Sequence, residues 1–245
     1  MTTVQAPIVE PRQMETGARS YIYKYLAAAF SFPGAHVARH ISSGAWLLDV
    51  LAICSRLPHP FTIEPSEAEA LRAGAGRDSL EARYIALFEV GAGRPFCPLY
   101  EGAHRRGRMK LMEDLVRFYE HFGLRPLPGD PPDHLCTQLQ FMHFLAFKQA
   151  AASGQPAIAA AVRAQHDFLE RHLCRWLPRV RARLASSREA GTFYARLCAL
   201  AERFCAADLQ FLKSCREKSH ASMMPCPTEP APAKNDKENQ PLPSG

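Results

Sequence analysis

The chain has 245 residues, 47% of them hydrophobic, which is enough to bury a substantial core in one large or two smaller domains. A formal charge of +6 and a pI near 9.0 permit a nucleic-acid or membrane-surface partner, but the arginines are scattered along helical patterns. Only "HRRGRMK" (104–110) is a compact basic run, and that fits a solvated helix end, so no nucleic-acid partner is expected.

Residues 1–14 read as a flexible lead-in. Glu10 and Pro11 stand where a signal peptide would need a basic start and an apolar core. The first helix is "GARSYIYKYLAAAF", with Ile22, Tyr25, Leu26, Ala29 and Phe30 on one face and Pro33-Gly34 as its stop. A helical stretch over 35–57, interrupted at "SSG" (42–44), follows. "SEAEAL" places Ser66 and Glu69 at capping-box spacing. "DSLEARYIALFEV" buries Leu80, Tyr84, Leu87 and Phe88, and a loop, "GAGRPFCPLYEG" (91–102), separates it from a helix over 104–122 that Gly123 ends.

"GDPPDHL" (129–135) starts the next helix, with Pro132 as its first helical residue, Asp133 in the first turn and an apolar face of Leu135, Leu139, Met142 and Ala146. A segment over 157–185 carries Val162, Leu169, Leu173, Trp176, Val180 and Leu184, with a kink or restart at Pro178. The last helix, 193–217, repeats Phe193, Leu197, Leu200, Phe204, Ala207 and Phe211. No segment alternates in the manner of a strand, so the fold class is all-α: one helical domain over 15–217. Residues 218–245 are rich in proline and polar residues and read as a disordered tail.

No stretch reaches the roughly 18 uninterrupted apolar residues of a membrane span, so no stable membrane insertion is expected, and the location expected is the cytoplasm. Eight cysteines sit singly in apolar patterns with no Cys-x-x-Cys, as reduced core residues do.

Each candidate for enzyme chemistry has a structural alternative. Glu101 and His104 form one Glu-x-x-His, but a di-iron bundle needs two. His36 and His40 lie one turn apart with no acid or cysteine near them in sequence, which favours surface histidines over a metal site. The "GAGR" repeats lack the ending of a phosphate loop. Cys97, His134 and Asp133 include the residue types of a cysteine hydrolase, but one acid does not orient the imidazole next to it in sequence while both face a nucleophile. A metal-dependent or cysteine-dependent helical enzyme remains the alternative. Two segments stand out, "CPLYEG" and "GDPPDHL". Helix capping explains Asp130, Pro132 and Asp133, and leaves His134 and the nearby Phe141, Phe144 and Phe147 without a role.

"YKYLAAAFSFP", "ARYIALFEVG…CPLYEG", "RFYEHFGL", "GDPPDHLCTQLQFMHFLA" and "FLERHLCRWLPRVRARL…GTFYARLCALAERFCAADLQFL", in that order over about residues 18–213, resemble the TorD/DmsD/NarJ family of redox-enzyme maturation chaperones. Within it the chain looks closest to the branch serving periplasmic molybdenum dehydrogenases and reductases of the dimethyl sulfide, ethylbenzene or selenate type. The resemblance implies a cytoplasmic helical protein with no catalytic residue, metal or cofactor. Its partner would be the apo catalytic subunit of a molybdenum enzyme and that subunit's twin-arginine signal peptide. Matched residue by residue, it assigns Pro98, Tyr100, Glu101, Pro132, Asp133 and His134 to partner binding. The family's usual Glu-Leu-Glu after "PPDH" reads Gln138-Leu139-Gln140 here, so two acids are missing. Attraction of a basic peptide would then rest on Glu101, Asp130 and Asp133 at the edge of an apolar groove.

Overall fold

The computed structural model describes residues 11–76, 79–89, 93–126, 129, 131–186 and 192–223. Among the described residues the chain is all-α, and its one strand-like feature is an isolated antiparallel bridge between Tyr100 and His134.

The helices are α1 (Pro11–Phe30), α2 (Ala35–Ser42), α3 (Ala45–Cys54), α4 (Pro65–Gly76), α5 (Leu80–Phe88), α6 (Glu101–His104), α7 (Arg108–His121), α8 (Leu135–Ala151), α9 (Gln155–Arg171), α10 (Leu173–Ala185) and α11 (Phe193–Met223). α1 begins at Pro11, inside the segment expected to be a lead-in, and α11 continues past residue 217 to Met223. The rest of the expected tail lies outside the described residues.

α1 and α8 form the central pair and run antiparallel, because Ser20 meets His143 while Ser31 meets Cys136. Small residues in "YLAAAF" let them approach closely: Ala27 and Ala29 are buried, as is Ala146 on α8. α11 lies across α9, α10 and α4. At the α4 crossing, a Cβ on Gly74 would come within 2.8 Å of the Phe193 amide nitrogen, so only glycine allows that approach.

Local chemistry decides most helix ends. Gly123, left-handed at φ 73°, turns the chain so that its own amide and that of Leu124 close on the carbonyls of Glu120 and Tyr119. The capping box expected at Ser66 is not used. Pro65 takes the first helical position, for which its fixed φ suits it, and Ser66 falls inside the first turn. The break expected at Pro178 comes earlier, at His172 (φ −119°, ψ −93°), whose imidazole turns inward to Glu101; Pro178 is accommodated within α10.

One polar cluster is sealed in this core. Asp208 on α11 accepts from Arg19 Nε at 2.5 Å and Nη2 at 2.8 Å, from Tyr23 at 2.7 Å and from His59 Nε2 at 3.2 Å. Arg19 also donates to Gln149 and Gln165, which ties α1, α8, α9 and α11 together. Burial alone would raise the Asp208 pKa, but the Arg19 charge and these hydrogen bonds hold it well below the ordinary carboxylate range.

Candidate functional site

The two segments singled out in the sequence meet in space. Loop 97–102 lies against 131–135: the Glu101 amide donates to the Asp133 carbonyl and the Leu135 amide to the Leu99 carbonyl, both at 2.9 Å. Residues 131–134 form a turn, closed by the His134 amide on the Pro131 carbonyl at 3.1 Å, and His134 itself is extended, so α8 starts at Leu135 and not at Pro132. His134 is its N-cap, with Nδ1 accepting from the Cys136 amide at 3.2 Å. Capping therefore does use the histidine, contrary to the expectation from sequence. Asp133 serves the neighbouring loop, where its Oδ2 accepts from the Gly102 amide at 3.1 Å. A Cβ on Gly102 would stand 2.9 Å from that oxygen. Tyr119 fixes the turn from below by donating to the Pro132 carbonyl at 2.7 Å.

The six candidate residues separate into two layers. Pro98, Pro132 and His134 are half-buried and Tyr100 is 37% exposed, with the Tyr100 and His134 rings in edge contact at 5.0 Å. Burial, with Glu89, Asp133 and Cys136 nearby, pushes the Tyr100 hydroxyl up, so it remains a protonated donor at neutral pH. Glu101 and Asp133, by contrast, are 0% and 1% exposed. They are not acids at a rim, because both are buried within the fold, where Asp133 Oδ1 has no hydrogen-bond partner among the described residues, and Asp130 lies outside the described residues.

Glu101 organises the inner layer. Its carboxylate accepts from Arg105, from Gln138 Nε2 at 2.6 Å and from His172 Nδ1 at 3.1 Å. Gln138 in turn accepts from Trp176 Nε1 at 3.0 Å, and His104 stacks on that indole. Burial lowers the His104 pKa, and as a neutral ring it donates from Nε2 to the Pro98 carbonyl at 2.7 Å. Gln138, Trp176 and His172 thus support the site, although sequence reasoning did not mark the glutamine or the histidine as part of it. The available signal was a polar residue on the buried face of an apolar helix.

An apolar groove of about 1160 Å³ opens between α7, α8 and α9. Its walls include Phe118, Phe122, Phe144 and Phe147, and the alanines of "AIAAAVRA" on α9 leave the space open. Phe147 is 60% exposed. The groove edge carries Arg117, Lys148, Arg163 and Arg171 against Asp114 and Asp167. Asp114 pairs with Arg171 and Asp167 with Arg216, so the acidic edge expected from sequence is replaced by a largely cationic one.

Among the described residues the enzyme alternatives are not assembled. Cys97 is buried, its Sγ 3.9 Å from the Val180 carbonyl, and burial pushes its thiol up to about 11, the opposite of an activated nucleophile. His134 spends Nδ1 on its own helix. His40 pairs with Asp49 at 3.0 Å and stacks on His36. His166, Asp167 and Glu170 cluster closely, but Arg216 lies 2.6 Å from His166 Nδ1 and 3.0 Å from Asp167, filling the place of a cation. No described helix is long and apolar enough by itself to cross a membrane; the bent pair α2–α3 passes on length and composition together, with Trp46, Leu47 and Val50 buried in the fold.

The described chain is an all-α protein with an open apolar groove, and the comparisons with known proteins specify its kind. A family model described as "Nitrate reductase delta subunit" matches residues 63–182. The perchlorate reductase assembly chaperone protein of Dechloromonas aromatica (strain RCB) is 35% identical over 218 residues, 86% of this chain and 96% of that protein. The selenate reductase assembly chaperone protein of Thauera selenatis is 34% identical over 196 residues, 78% of this chain and 86% of its own. Chaperone protein TorD of Vibrio cholerae (strain ATCC 39315 / El Tor Inaba N16961) is 31% identical over 92 residues, 38% of this chain and 41% of its own. The chain belongs to the TorD/DmsD/NarJ family of redox-enzyme maturation chaperones, a family of chaperones and not of enzymes.

Proposed function

We propose that this chain is a cytoplasmic, system-specific chaperone for the apo catalytic subunit of a molybdopterin oxidoreductase. It holds that subunit, through its twin-arginine signal peptide, its mature part or both, until cofactor is inserted, and so delays export. Family membership and the relatives named as reductase assembly chaperones support the class of partner. The observation that carries the reading is the open groove between α7, α8 and α9, an apolar surface with Phe147 projecting from it. An apolar helical face of the client fits there, with anchors one turn apart meeting the phenylalanines. Tyr100 and His134, flanked by Pro98 and Pro132, supply a second, polar contact, and Glu101 and Asp133 act by holding that surface in place.

The test titrates the wild type, Phe147→Ser and His134→Asn against the signal peptide of the client encoded beside it and, separately, against the mature apo-subunit. Circular dichroism controls for folding. Losing a buried phenylalanine contact costs about 1.5–3 kcal/mol, or roughly tenfold or more in affinity. Losing the imidazole contact costs about 1–3 kcal/mol, roughly five- to a hundredfold, and asparagine preserves the cap. Wild-type affinity in both variants, or no binding of either partner by the wild type, would refute the proposal.

A further inference from the structure

The basic run 104–110 leads into α7 with residues 106–110 exposed. It forms one wall of a pocket of about 340 Å³, and the other wall comes from the α9–α10 break, far away in sequence. Arg105, Arg106 and Lys110 stand on the first wall, and Arg171, His172 and Arg175 on the second. The only acid of the lining, Asp114, is already 3.5 Å from Arg171. Arg105 is engaged with the buried Glu101, whereas Arg106 and Lys110 are exposed and have no ion-pair partner among the described residues. Like charges gathered this closely repel one another unless an anion sits among them.

Two further observations point to an occupant. The pocket lies at the N-terminus of the 14-residue helix α7, where left-handed Gly107 (φ 78°) brings no side chain to cap the first-turn amides. Such a terminus carries partial positive charge and open N–H donors. In the wall, the His172 side chain is only 2% exposed; Nδ1 is held by Glu101, and Nε2 has no hydrogen-bond partner. A buried polar atom left unsatisfied costs stability that an occupant would relieve.

We propose that this pocket is a binding site for a phosphate group, that of a phosphomonoester or a diphosphate. A phosphate offers the double negative charge and the several acceptor oxygens that match two or more guanidinium groups, an ammonium and helix amides at once. A monocarboxylate supplies half that charge. The P–OH of a monoprotonated phosphate can also donate, so the unpartnered His172 Nε2 can be met by a donor or an acceptor of the same group. The site adjoins the apolar groove, sharing Asp114 and Arg171 with it, and the proposal does not depend on the identity of the client.

The experiment is calorimetric titration of the full chain with sodium diphosphate, with ribose 5-phosphate and with sodium sulfate, at an ionic strength fixed by sodium chloride. The variants are Arg106→Gln/Lys110→Gln and, as a control, the groove-edge pair Arg117→Gln/Arg163→Gln. We expect one saturable site for diphosphate or the phosphomonoester, with affinity at least tenfold weaker in the first double variant and unchanged in the control. Diphosphate should raise the melting temperature of the wild type more than that of Arg106→Gln/Lys110→Gln. The two exposed substitutions should leave the ligand-free melting temperature unchanged, which separates a lost site from a lost fold. No saturable binding in the low millimolar range, equal affinity for sulfate, or equal affinity in the Arg106→Gln/Lys110→Gln variant would each overturn the proposal.

Discussion

Replacing Asp208 by asparagine should destabilise this protein more than almost any other single polar substitution. Asp208 is fully buried and accepts four hydrogen bonds from three residues, two of them from the fully buried Arg19. The asparagine keeps the shape but loses the charge, and it turns an NH₂ toward donors that need acceptors. Arg19 then remains as an uncompensated buried cation. Breaking a buried ion pair from one side costs about 3–5 kcal/mol, a large share of the ~5–15 kcal/mol that hold a typical domain folded. At ~2–4 °C per kcal/mol for a chain of this size, the melting temperature should fall by roughly 6–20 °C. Urea denaturation of the wild type, Asp208→Asn, Arg19→Met and Arg19→Met/Asp208→Leu measures it, and the double variant should regain most of the loss because no charge is left unpaired. The pH dependence has a definite sign. The folded-state pKa lies below the ordinary 3.8, so the contribution is fully present above that value and is lost as pH falls below it toward the folded value. Asp208→Asn should remove that part of the acid sensitivity. A loss under about 1 kcal/mol for Asp208→Asn, or a double variant worse than either single one, would refute this account of the core.

Three other outcomes follow from the geometry. Gly74→Ala should destabilise in urea titrations, although alanine normally gains about 1 kcal/mol over glycine inside a helix, because the new Cβ meets the Phe193 backbone at 2.8 Å. His134→Ala should cost about 0.5–2 kcal/mol through the lost cap, with His134→Asn close to wild type. In thiol titration at pH 8, Cys97, Cys136 and Cys174 should react slowly until denaturant is added, since burial holds them at about 11, 12 and 12.

The helical framework was legible because amphipathic spacing reports burial directly. Leu80, Tyr84, Leu87 and Phe88, and the stripe from Val162 to Leu184, all lie in the core as their periodicity requires. The exceptions share a cause. Ala207 was placed on the stripe of α11, yet the residue that turns inward is Asp208, four after Phe204 and three before Phe211. An acid at that spacing contradicts the apolar pattern until its partner is known, and Arg19 is 189 positions away. The break at His172 was missed for the same reason, because its pull toward Glu101 is a long-range contact, whereas the proline rule is local.

The candidate site shows where a motif reading and a structural reading part. Unusual residue types in "CPLYEG" and "GDPPDHL" correctly marked two segments that belong together, but the type of a residue does not say which layer it occupies. Gln138 makes the point. Read as a missing acid, it seemed to weaken an electrostatic surface; in the fold it is 0% exposed, so a charge there would not reach a partner. Its amide instead donates to Glu101 and accepts from Trp176. An amide carries both functions, whereas a carboxylate at 138 would be an acceptor only and could not donate to Glu101. On the proposed function, the surface offered to a partner is that of Tyr100, His134 and the groove phenylalanines, while Glu101 and Asp133, buried beneath it, hold the two segments together.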